Sequence, residues 1–193
     1  QLMIYEALGW TPPLFAHIPL IFAQDNSKLS KRKHPEADVM RHKANGILPN
    51  ALINFIARLG WSHGNEELFT RDDLIAKFDF EHVGKSQGVW NPTKLVATNK
   101  HWIKTTEPLQ VAMQLLPFLQ AAGAPDAVVD AKLELGVKAF AERSASLVEM
   151  AEKLRNYYAH GVTIDGAAAA KHLTPEGKVL LGKARDEFAK LTE

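Results

Sequence analysis

A chain of 193 residues with 46% hydrophobic content can bury a sizeable core, as one domain or as two small ones. It has no cysteine, which excludes disulfides and thiolate-ligated zinc or iron–sulfur centres, and no apolar run approaches the roughly 20 residues of a membrane helix. Net charge is only +1, yet residues 28–43 hold six Lys or Arg against two acids, Glu36 and Asp38, a local positive patch of the kind that attracts phosphate. In chain order, residues 1–9 read as the end of a helix stopped at Gly9, and Pro12, Pro13 and Pro19 break up the next stretch. Leu20-Ile21-Phe22-Ala23 reads as a short buried strand delivering the loop Asp25-Asn26-Ser27-Lys28-Leu29-Ser30-Lys31-Arg32. Beyond that loop there is almost no strand signal.

Pro49 suits the first turn of a helix with Leu52, Ile53, Ile56 and Leu59 on one stripe, ending at Gly60. Thr70 with Asp73 forms a capping-box start for Leu74 to Phe78, and Asn91-Pro92 opens a helix through Leu95 and Val96. Glu107 or Pro108 begins another, through Leu115, Leu116 and Leu119 toward Gly123, which Pro117 is expected to kink or shorten. Residues 126–141 carry Val128, Val129, Leu133, Leu135, Val137 and Phe140 and read as two helices. Ser146 with Glu149 is a second capping box, leading through Leu147, Met150, Ala151 and Leu154. Asp165 caps the alanine run 167–170, and Thr174-Pro175 starts a last helix to about Lys190. The fold class is mainly α. Trp10, Trp61, Trp90 and Trp102 are expected as packing anchors.

Lys28 and Lys31 stand three apart around Ser30, on a loop rather than a helix face. Ammonium groups so placed stabilise charge that builds on the bridging and leaving oxygens of a polyphosphate. Taken alone, the run is weak evidence, since a basic cluster is usually a solvated loop or a short localisation-type patch. Trp61-Ser62-His63 has no nucleophile elbow and no paired acid around it. The eight histidines show no pair three or four apart on a helix, so no metal or zinc site is expected.

The loop is preceded by Tyr5-Glu6-Ala7-Leu8-Gly9-Trp10 and Phe15-Ala16-His17-Ile18-Pro19-Leu20-Ile21. After it come Gly46-Ile47-Leu48-Pro49-Asn50-Ala51-Leu52-Ile53-Asn54-Phe55 and Ala57-Arg58-Leu59-Gly60-Trp61-Ser62-His63-Gly64. In this order the segments resemble bacterial glutamyl-tRNA synthetases, a family of class I aminoacyl-tRNA synthetases whose second signature, a lysine–serine–lysine loop, is here Lys28 to Arg32. Glu142-Arg143, Leu147 to Lys153, Arg155-Asn156-Tyr157-Tyr158 and Lys171-His172-Leu173-Thr174-Pro175-Glu176 are similar to that family's first anticodon-binding region and the stretch beyond it. Where many members have a His-Gly pair after the arginine, this chain reads Lys33-His34-Pro35, and the spacing to Gly46 is about one residue longer. The family's first, histidine-containing signature does not occur.

The resemblance implies a piece of a longer glutamate–tRNA ligase, cytoplasmic and monomeric. Residues 1–35 would be a remnant of the catalytic α/β region with the lysine loop, 36–106 a helical stem-contact domain and 107–193 a helical anticodon-binding domain or an incomplete part of one. Lys31, assisted by Lys28, would contact ATP phosphates as the catalytic pair. The backbone at Leu29 would lie against adenine, Ser30 would shape the turn and Arg32 would complete the ATP-binding set. Lys33, Arg41, Lys43, Arg58, Arg143 and Arg155 would contact tRNA(Glu), and Tyr157 or Tyr158 could stack on its bases. The whole enzyme would use ATP with Mg2+ and glutamate, while the piece alone would be inactive. The alternative is a non-catalytic helical RNA-binding or adaptor protein that retains the loop.

Overall fold

Local capping chemistry sets most of the element boundaries. In the computed structural model, which describes residues 1–158 and 164–190, helix α1 (Leu2–Ala7) is followed by Gly9 at φ +64°, the left-handed stop that its missing Cβ allows. Strand β1 (Ile21–Phe22) leads into the lysine loop, a 3-10 turn (Pro35–Ala37), α2 (Val39–Ala44) and α3 (Pro49–Ala57). Helix α4 (Arg71–Lys77) begins with both halves of its capping box. The Thr70 hydroxyl accepts from Asp73 N at 3.0 Å, and the Asp73 carboxylate accepts from Thr70 N at 2.9 Å. Strand β2 (Gly88–Val89) pairs parallel with β1, Ile21 opposite Gly88 and Phe22 opposite Val89. Two residues are too few to show alternation, which is why the sequence does not announce this strand. Gly88 is needed there, since a Cβ would stand 2.4 Å from the Leu59 carbonyl oxygen.

The rest of this compact unit, Gln1–Tyr158, is helical. Helix α5 (Pro92–Thr105) is capped by the Asn91 carboxamide, which accepts from Lys94 N at 3.1 Å. It is followed by α6 (Pro108–Ala121), α7 (Ala131–Phe140) and α8 (Leu147–Leu154). Pro117 does not shorten α6. It and Met113, whose carbonyl it leaves unbonded, lie on the exposed side, where water can take that carbonyl. Residues 126–141 form one helix rather than two, because the Asp130 carboxylate accepts from Leu133 N at 2.8 Å and starts α7 late, leaving Val128 exposed.

The main core gathers fully buried residues of several helices: Leu48 and Ala51, Ile103, Val111 and Leu115, Leu133 and Val137, Met150 and Leu154. A second cluster joins Leu52, Phe55, Trp90 and Leu95, with Ile21 and Leu29 packed against it. Helix α3 feeds both clusters, and this sets its buried arc. Ala51, Leu52 and Phe55 are inside, while Ile53 and Ile56, expected on the buried stripe, are exposed. Trp61, Trp90 and Trp102 are buried anchors, but Trp10 is 62% exposed and packs edge-on to Tyr5. Helices α5 and α6, joined through Thr106 and the exposed Glu107, both contribute to the main core.

The second compact unit, Ala159–Glu193, holds α9 (Gly166–His172) and α10 (Pro175–Phe188). Asp165 accepts from Ala168 N at 2.7 Å and the Thr174 hydroxyl accepts from Gly177 N at 3.1 Å, as their positions in the sequence suggest. Among the described residues no helix is long and apolar enough to cross a membrane.

Candidate nucleotide-binding loop and basic surface

The lysine loop is a hairpin built off β1. Ala23 N donates to Ser27 O at 2.8 Å and Leu29 N donates to Ile21 O at 2.9 Å, while Asn26 takes the tip at φ +63°, a conformation asparagine tolerates. Leu29 turns inward onto the Leu52, Phe55, Trp90 and Leu95 cluster. That anchor leaves its neighbours outside: Lys28, Lys31, Arg32 and Lys33 are all exposed, and none pairs with a described acid. Four cations held on a short, anchored loop with free heads make a surface for anionic oxygens.

Behind the loop sits a buried histidine. Ser30 N donates to His34 Nδ1 at 3.1 Å, so the ring hydrogen lies on Nε2, which donates to the Ser27 hydroxyl at 2.9 Å. Ser27 in turn donates its hydroxyl hydrogen to Asp25 Oδ1 at 2.7 Å, and its backbone N–H donates to the same oxygen at 2.9 Å. These two bonds from Ser27 hold the Asp25 carboxyl below the usual carboxylate range. The departure Lys33-His34-Pro35 thus supplies a ring packed against the loop and a proline that opens the 3-10 turn.

Helix α2 carries Arg41 and Lys43 to the surface while His42 between them is buried. The His42 ring stacks on Trp90 at 5.2 Å and bonds the Glu36 carbonyl at 2.8 Å through Nε2. Arg58 is already engaged: its guanidinium donates to Glu66 O at 3.0 Å and pairs with the Glu67 carboxylate at 3.1 Å. Arg143 lies exposed on a 3-10 turn before α8 and accepts Lys153 Nζ at its carbonyl. Arg155, after α8, pairs with Glu152 at 3.2 Å. Tyr157 is exposed, whereas Tyr158 packs on the main core with Lys132 Nζ 4.2 Å from its ring centre. Desolvation pushes its hydroxyl upward in pKa, with Asp130 adding to the effect.

A cleft of about 680 Å3 is lined by Arg58, Trp61, Gly88, Asn91, Lys94 and His101, and none of Lys28 to Lys33 reaches it. With Lys28, Lys31, Arg32 and Lys33 all exposed, the lysine loop presents an open surface. Among the described residues no group of three His, Cys, Asp or Glu side chains is placed to hold a metal ion.

Residues 1–97 match the family model for class I tRNA synthetases (E and Q), catalytic domain, so the match takes in the whole hairpin, its histidine and both short strands. The chain belongs to this family. Over 194 residues it is 52% identical to the glutamate–tRNA ligase of Myxococcus xanthus, covering 100% of this chain and 40% of that protein. Identity to the glutamate–tRNA ligase of Geobacter sulfurreducens is 46% over 188 residues, 97% of this chain and 40% of the relative. Among solved structures, a glutamate tRNA ligase from Elizabethkingia meningosepticum, in complex with its amino acid, superposes with TM-score 0.72 at 26% identity. That superposition covers 98% of this chain and 41% of the other. The chain thus spans about two fifths of the length of the synthetases it matches.

Sequence reasoning did not find the residues that fix this architecture. Asn99, fully buried, accepts Leu48 N at 2.8 Å and donates to Ala145 O at 2.7 Å and Gly46 O at 3.3 Å. Asn54 accepts Phe69 N at 3.1 Å and Trp102 Nε1 at 3.2 Å and donates to Glu67 O at 3.0 Å. The available signal was an asparagine in the middle of an apolar helix face, a residue that intrinsic propensity disfavours there.

Proposed function

We propose that this chain is the part of a glutamate–tRNA ligase that supplies the ATP-phosphate loop and the helical surfaces for tRNA(Glu). The observation that carries the reading is the anchored hairpin with Lys28 and Lys31 exposed and without an acidic partner among the described residues, in a chain 52% identical to a glutamate–tRNA ligase. In the ligase reaction a glutamate carboxylate oxygen attacks the α-phosphorus of ATP, the bond to the bridging oxygen breaks, and pyrophosphate leaves with the electron pair. Lys31, with Lys28 beside it, supplies positive charge where the leaving oxygens gain negative charge. Magnesium arrives with ATP through phosphate oxygens and water. Glutamate is then transferred from adenylate to the 3′ end of the tRNA.

The helical segment 36–106 is assigned to the RNA stem and 107–193 to the anticodon region. Lys33, Arg41 and Lys43 are free to neutralise phosphates, as is Arg143 through its exposed guanidinium. Arg58 and Arg155 can do so only in competition with Glu67 and Glu152. The helices that follow the lysine loop, α5 to α8, support the glutamate–tRNA ligase reading. The exposed apolar side chains Leu2, Ile4, Trp10, Leu14 and Ile18 support packing of this segment against further protein of the ligase. Without that protein the open loop offers ATP few preorganised contacts, so the chain alone binds nucleotide weakly and does not catalyse. Lys31→Ala in the full-length ligase is the test. Pyrophosphate exchange falls by about a hundredfold or more if the reading holds. An unchanged rate removes Lys31 from the mechanism.

A further inference from the structure

Ser27 and Ser30, each one residue before a lysine of the pair, both bond to the ring of His34. We propose that His34 is a positioning residue of the lysine loop: held neutral with its hydrogen on Nε2, it ties the hairpin tip to the turn that aims Lys28 and Lys31. The inference rests on the nucleotide-binding reading of the loop and adds to it a residue outside the signature.

The geometry is specific at both ring nitrogens. Nδ1 accepts Ser30 N, so it carries no hydrogen, and Nε2 donates to the Ser27 hydroxyl. The Ser30 peptide is then held on both sides, since its carbonyl also accepts Lys33 N at 3.1 Å and His34 N at 2.8 Å. One bond of the ring holds the Ser27 side chain just before Lys28, and the other holds the backbone N–H of Ser30 between Lys28 and Lys31. The lysine side chains stay free while their Cα positions do not, which is preorganisation of a cation pair without neutralising it. The ring is only 9% exposed, so water does not readily replace either bond. The same hydrogen placement excludes a serine nucleophile: Nε2 already bears hydrogen and cannot take one from Ser27, whose own hydrogen goes to Asp25.

Three measurements on this chain test the proposal. Nitrogen-resolved NMR of the His34 ring in the unsubstituted protein is expected to show the Nε2-protonated tautomer; the Nδ1-protonated form, or an average of the two, overturns it. His34→Asn retains an acceptor where Nδ1 stands, whereas His34→Gln retains a donor where Nε2 stands. Amide exchange at Ser30 is expected to stay slow in His34→Asn and to accelerate by about tenfold in His34→Gln, with α5 and α6 amides unchanged in both. Equal exchange at Ser30 in the two variants overturns the brace. Magnesium-ATP affinity, read from loop amide shifts, is expected to weaken by about threefold to tenfold in His34→Gln and by a smaller factor in His34→Asn, which keeps the Ser30 bond but loses the Ser27 one. Equal affinity in all three proteins overturns the positioning role. If the unsubstituted chain shows no response to magnesium-ATP, the nucleotide reading fails by itself, and tautomer and exchange still decide whether His34 braces the loop.

Discussion

The Asn99 carboxamide holds the Gly46 carbonyl and the Leu48 amide together and reaches Ala145 O at 2.7 Å, joining the segment behind the lysine loop to the start of α8. Because Asn99 and Leu48 are both buried, Asn99→Leu strands the Leu48 N–H away from water and removes the ties to Ala145 O and Gly46 O. The expected loss of stability is about 2–4 kcal/mol, read from urea unfolding. A loss under about 0.5 kcal/mol would mean that the site relaxes or hydrates.

Gly46 meets α8 backbone to backbone. Its φ is +74°, its carbonyl accepts Leu147 N at 3.0 Å, and an added Cβ would stand 2.6 Å from Val148 N. Gly46→Ala therefore carries both left-handed strain and a clash with atoms that cannot rotate away. Thermal unfolding should drop by several degrees, consistent with a cost of about 2 kcal/mol or more. An unchanged midpoint would show that the loop and α8 separate freely.

Glu149 links acidity to the same junction. Its carboxylate accepts Lys153 Nζ at 2.6 Å and Ala145 N at 2.7 Å, and Lys153 first, then Ala145, holds the carboxyl below its usual range. A carboxyl depressed on folding adds stability that is complete above its unfolded pKa, about 4.3, and is lost as pH falls through the lower folded value. The side chain is 44% exposed, so the effect is under about 1 kcal/mol. Denaturation midpoints should decline with acid below about pH 4.3 less steeply in Glu149→Gln than in the parent. Identical slopes would remove Glu149 from the acid response.

Much of the helical frame was legible because its causes are local. Thr70 with Asp73, Asn91, Asp165 and Thr174 each bond an amide three residues on, so sequence spacing alone places them. Ser146 caps Glu149 N at 3.2 Å as expected, but Glu149 turns back to Ala145 N rather than to the Ser146 amide, so that box is not reciprocal. The hidden features depend on distant partners. Asn99 bonds groups 46 to 53 residues away, and the buried arc of α3 is set by two clusters assembled from other helices. His34 is intermediate: its contacts lie four and seven residues back, but only a closed hairpin brings them to the ring.

The basic surface makes a salt-dependent prediction. If Lys33, Arg41 and Lys43 neutralise RNA phosphates, each replacement by alanine lowers tRNA affinity without changing preference among tRNAs. Each also reduces the log–log salt slope by about one. Binding isotherms over a salt series check this. A slope that stays constant across the three variants would place the RNA elsewhere.

Titrating magnesium-ATP into the chain while monitoring backbone amide shifts decides whether Lys28 and Lys31 meet a nucleotide's phosphates. Weak, saturable shifts confined to residues 25–34 are expected, with affinity of about millimolar, lost in the Lys28→Ala, Lys31→Ala double variant. An unmoved hairpin, or equal affinity in the double variant, would contradict that contact.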